Sequence, residues 1–211
     1  FGLLRNLDIN ANMDVTGHPS NTDIDLIGVA ITFYQNHGSC DWSIENSNVQ
    51  VDGLWETNGG EITGIQLKAR FKNMDTNLYS QLSLGGTFES LVHISALSGV
   101  QLEGSTIVGV DFIFENMKDV YLTCLGRVIG QWEGAYEDEY GLRLKAGNDL
   151  QTNLISIADS SFDVDLDTTN CFNDIAGVYI EIDSTDTVYF WHNITVKGTW
   201  GGEASETKNV I

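Results

Sequence analysis

The chain has 211 residues, 42% of them hydrophobic, with 30 acidic and 10 basic side chains and a formal net charge of -20. The length suits one large domain or two small ones, and apolar residues recurring along all of it exclude intrinsic disorder. The charge argues against nucleic acid and anionic lipid headgroups as partners, because a field of this sign repels both while attracting cations.

A single proline and 22 glycines leave no room for proline-rich linkers. No run of 18 apolar residues exists, so no transmembrane helix is expected. The opening FGLLRNLDIN, without an initiator Met, reads as a mature or trimmed N-terminus. Cys40, Cys124 and Cys171 form no C-x-x-C, which excludes zinc ribbons and thioredoxin-like redox sites. In an oxidising compartment one pair bridges and one thiol is left over, and the spacing does not say which.

Along the chain, MDVTG at 13–17 reads as the second half of a worn unit. GVAITF from Gly28 leads to VQVDGLWE, ending at Glu56, and GIQLKARF from Gly64 leads to LSLGGTFE, ending at Glu89. Ile65, Leu67, Ala69 and Phe71 share one parity and Gln66, Lys68, Arg70 and Lys72 the other, the mark of a half-buried strand. Residues 91–104 read as an extra pair of short strands. Residues 109–134 and 177–202 align without a gap at an offset of 68, with 8 identities in 26; average composition yields roughly one or two. GLRLKAG starts a further unit at Gly141 whose second half looks degenerate. Unit starts at Gly28, Gly64, Gly109, Gly141 and Gly177 have a mean spacing near 37. The unit is a glycine, a short strand, a polar turn such as NMKD at 116–119, a longer strand, and Gly-x-aromatic.

This pattern predicts a single all-β domain over 1–211, built of repeated antiparallel β-hairpins. Copies that bury no face alone must stack or pair. They form a β-sandwich, a flattened barrel, or a β-prism or solenoid. An outer-membrane barrel is a further alternative, disfavoured by short first strands.

Trp55, Phe88, Trp132 and Trp200 each follow Gly-x; a sugar-stacking ladder is one reading, but Trp132 and Trp200 share the parity of buried Val and Leu, which makes them core. Trp191 and Tyr189 lie on the polar parity and are the candidate ligand-binding residues. In DVDLDTTNCFND, Asp163, Asp165 and Asp167 share one strand face, with Asn170, Asn173 and Asp174 close behind. Hard oxygen ligands at this density predict Ca2+, because like charges on one face repel without a cation; the expected ligands are Asp163, Asp165, Asp167, Asn170 and Asp174. His18, His37, His93 and His192 are scattered, and no catalytic motif is present. YEDEY at 136–140 and EIDSTD at 181–186 carry the paired carboxylates of a glycan-active enzyme, but as strand ends and turns they read as structure.

Alternating strands, few Lys and Pro, and turns rich in Asn, Asp and Gly make the chain similar to secreted β-repeat proteins of bacterial cell surfaces and extracellular filaments. The resemblance covers most of the chain and assigns no functional residue. Together with the missing catalytic constellation, it points to a non-catalytic, extracellular or cell-surface structural or adhesive subunit. Its partners are then further copies or other surface proteins, joined through strand edges. A carbohydrate-binding module is the alternative.

Overall fold

The computed structural model describes residues 1–16, 25–57, 60–72, 78–96, 102–134, 136–147, 152–171, 173–183, 185–202 and 206–210. Strands in chain order are β1 (Gly2–Arg5), β2 (Asp8–Asn12), β3 (Val15–Thr16), β4 (Leu26–Gln35), β5 (Cys40–Thr57), β6 (Glu61–Phe71) and β7 (Ser80–Ala96). They continue as β8 (Leu102–Glu115), β9 (Asp119–Glu133), β10 (Tyr136–Gly147), β11 (Thr152–Cys171), β12 (Asp174–Ile182), β13 (Thr185–Gly202) and β14 (Glu206–Val210). A long-strand sheet runs β1–β5–β7–β9–β11–β13, with β2 and β3 also on β5; a short-strand sheet runs β14–β12–β10–β8–β6–β4. The chain alternates between the two sheets and winds about five turns of a parallel β-solenoid.

Every strand pairing among the described residues is parallel. The expected antiparallel hairpins are therefore absent, and with them the sandwich, the flattened barrel and the membrane barrel. The physical difference lies in the turn. NMKD does not return the chain beside itself; Asn116, in the left-handed region at φ 59°, turns it into the opposite sheet. The corner is tied to its neighbours instead: the Lys118 N–H donates to Ser80 Oγ at 2.9 Å in the preceding coil, and the Asn116 N–H to Gly147 O at 3.2 Å in the next. Residues 91–96 are the end of β7, not a separate pair of strands, and the half-unit after Gly141 is the 20-residue β11.

The five unit-starting glycines stack in one ladder. A Cβ on Gly28, Gly64, Gly109 or Gly141 would come within 2.5–2.7 Å of the carbonyl oxygen of the next glycine in that ladder. Side chains at these positions have no room, so the spacing of glycines marks the coil length.

Gly-x-Trp has a related cause. Gly53 and Gly130 let a carbonyl of the preceding coil, Met13 O and Val92 O, approach where a Cβ would stand. The same carbonyls accept the Nε1–H of Trp55 (2.8 Å) and Trp132 (3.1 Å). The glycine thus frees an acceptor for the indole two residues on, and both tryptophans are buried.

The inward columns, meaning residues in register from coil to coil, explain the offset of 68. One column reads Val15, Trp55, Ile94, Trp132, Thr168, Trp200. Large and small residues alternate along it. The best sequence match therefore skips a coil. Phe88 belongs to a different column, between Val49 and Gly126, and meets Phe112 of the facing sheet edge-on at 5.4 Å.

Cys40, Cys124 and Cys171 are buried and unbridged. Burial pushes the thiols up, to about 11 at Cys40 and about 12 at the other two.

Candidate interaction surface

β13 is the last strand of the long-strand sheet, so one of its edges has no partner among the described residues. Its inward residues are only half covered, with no strand of that sheet lying over them among the described residues: Val188 is 38% exposed and Phe190 43%. Ile194, Val196 and Trp200 continue this row and pack partly on the core. Its outward residues include Tyr189, 63% exposed, and Trp191, 79% exposed. The two expected ligand-binding residues thus sit together on the outer face at the C-terminal edge.

Part of that outer face is small and hydroxylated. Tyr189 continues the column Leu3, Ser43, Ser83, Tyr121, Ser156. A shallow groove of about 380 Å³ lies over Ser43, Ser83 and Gly85, between Glu45 and Tyr121. On the other sheet a cleft of about 260 Å³ is lined by Glu115, Lys145, Glu181 and Asp183, and the Lys145–Glu181 ion pair (3.3 Å) bridges two of its walls.

The aspartate stripe does lie on one face. Phe162, Val164, Leu166 and Thr168 of β11 are buried while Asp163, Asp165 and Asp167 alternate outward. Each carboxylate has polar or cationic company across the sheet. Asp163 is in register with Arg127, Asp165 with Lys197, and Asp167 Oδ1 accepts the Thr199 N–H at 2.9 Å. Asp174 is elsewhere, on β12 of the other sheet in register with Asp138, and the side chain of Asn170 lies outside the described residues. Among the described residues no three His, Cys, Asp or Glu side chains gather so as to hold a metal ion.

Register places Glu139 where the sequence shows no sign of it. It points inward in the column Ile62, Ile107, Glu139, Ile175. Its two oxygens, Tyr136 Oη and Thr168 Oγ1 are buried without a hydrogen-bond partner. Burial pushes the Glu139 carboxyl up to about 8. The nearby Tyr136 is raised by burial first and by Glu139 second. A second buried charge is satisfied: Arg143 binds Asp111 in a fork (2.9 and 2.8 Å) and reaches Glu61 at 3.1 Å.

Of the histidines, His192 faces inward with Nδ1 unpaired and stacks edge-on with Phe190 at 5.4 Å, while His93 Nδ1 accepts the Gln131 N–H at 3.2 Å. His18 lies outside the described residues.

No family model, curated protein or solved structure matches the chain.

Proposed function

We propose that this chain is a non-catalytic structural or adhesive subunit of an extracellular or cell-surface assembly, joined through strand edges. The observation that carries the reading is β13: 18 residues long, open along one edge among the described residues, with Val188 and Phe190 only half covered. An edge strand with unpaired backbone groups is a template for another strand. The net charge of -20 opposes association over long range, so contact is favoured when salt screens it. Light scattering after size exclusion, from micromolar to near-millimolar protein at low and high salt, tests this. Growing mass, with filaments by electron microscopy, supports the reading; a monomer throughout overturns it.

A second reading, glycan binding, is favoured by one observation. Tyr121 and Tyr189 share an outward column with Ser156 between them, which sets them two strand spacings apart, roughly 9.5 Å. Two aromatic platforms over a hydroxyl floor suit a neutral sugar chain running along the solenoid axis. Glycan-array binding lost in Tyr121→Ala and Tyr189→Ala would favour it; no binding to any glycan removes it.

A further inference from the structure

We infer that the occupant of the open β13 edge is the N-terminal edge of a second copy, β13 lying parallel and in register on β1–β3. This rests on the assembly reading above and adds its geometry.

The argument comes from the inward columns. Five of them run the full length of the long-strand sheet. They begin at Gly2, Leu4, Ile9, Ala11 and Val15 and end at Val188, Phe190, Ile194, Val196 and Trp200. Stacking one copy on another by continuing the solenoid sets Val188 on Gly2, Phe190 on Leu4, Val196 on Ala11 and Trp200 on Val15. In these four pairs the bulkier residue is at the C-terminal edge and the smaller at the N-terminal edge, while the fifth sets Ile194 on Ile9. The tryptophan column keeps its alternation across the junction: Thr168, Trp200, then Val15 and Trp55 of the next copy. The phenylalanine column stays apolar across the junction, running Phe162, Ile194, then Ile9, Val49 and Phe88. The two edge strands are alike in burial, since Leu4, Ile9, Ala11 and Val15 are also only partly buried.

The outer face agrees. Tyr189 falls in the column of Leu3, which is itself exposed. In the stack Trp191, next to Phe190, would stand beside Arg5, the residue after Leu4, whose guanidinium already binds Glu45; an indole beside that cation is a favourable pairing. In such a contact the surface on one copy differs from the surface on the next, so the stack does not close and grows as a filament. Its axial repeat is six strand spacings, about 29 Å.

The test uses the full chain carrying single cysteines on exposed, outward residues. Thr195 and Asn10 end one outward column: Asn10, Gln50, Glu89, Arg127, Asp163, Thr195. In the stack they become direct neighbours, within disulfide range for in-register strands. Asn10→Cys and Thr195→Cys proteins are oxidised separately and as an equimolar mixture, with the unmodified chain as control for its three buried thiols. Unchanged circular dichroism and melting establish that each variant is folded. The expected result is a covalent dimer in the mixture, at least tenfold above either variant alone, and loss of that band when Asn10→Cys is replaced by Asp8→Cys. Dimer in Thr195→Cys alone means that β13 edges meet each other and overturns the inference. Assembly by light scattering without mixed dimer overturns the register while leaving the assembly reading standing. A monomer at every concentration overturns both.

Discussion

Glu139 is the residue at which this solenoid is least at ease, and replacing it measures by how much. Its carboxyl sits among Ile62, Ile107 and Ile175 with both oxygens unpaired, and burial raises it from an ordinary 4.5 to about 8. Between those two values the folded chain holds a proton that the unfolded chain has released. Stability is therefore full below pH 4.5, falls as pH rises, and levels off above pH 8. The difference amounts to about 3 kcal/mol at pH 7 and about 5 kcal/mol above pH 8. Glu139→Gln keeps the size and the unpaired polar group but removes the ionisation. Urea midpoints of the two proteins should coincide near pH 4.5 and separate progressively to pH 8.5, with the variant the more stable. Subtracting the two profiles cancels the other carboxylates, and neither Tyr136 nor Cys171 titrates in this window, both being raised by burial. Glu139→Ile, which completes the isoleucine column, should gain further at every pH. A stability difference between the parent chain and its Glu139→Gln variant that is flat from pH 4.5 to 8.5 would refute the reasoning.

Three further outcomes are expected. Trp132→Ala, which empties a buried site and orphans Val92 O, should cost about 3–5 kcal/mol in urea unfolding, whereas Trp191→Ala, on the surface, should stay within about 0.5 kcal/mol. Gly109→Ala should cost about 1–3 kcal/mol by the same assay, because its Cβ would meet Gly141 O at 2.6 Å as well as Val128, and neither can withdraw without disturbing a coil. Millimolar CaCl2 and MgCl2 at matched ionic strength should raise the melting temperature equally, since Asp163 and Asp165 have cationic neighbours in register and Asp174 stands on the other sheet; a rise selective for Ca2+ would instead support the aspartate stripe as a calcium site.

Much of this fold is legible in the chain. Alternation in Ile65, Leu67, Ala69 and Phe71 identified an inward strand face, and all four are fully buried. The glycines at 28, 64, 109 and 141 marked the coils, because a side chain there would strike the next coil's backbone. Gly-x-Trp marked the long strands, because a freed carbonyl needs a donor. These signals survive in sequence because each arises from residues close along the chain or from a clash that forbids all but one residue type. Strand direction does not survive that way. Period-two alternation is identical in parallel and antiparallel sheets, and the NMKD turn suits either until Asn116 and Lys118 are seen bonded to neighbouring coils. Register is likewise a tertiary property. It alone sets Glu139 between Ile107 and Ile175, puts Arg127 and Lys197 beside the aspartates, and leaves Tyr189 and Trp191 on the last, uncovered strand, since what faces each residue comes from a coil some 32 to 45 residues away.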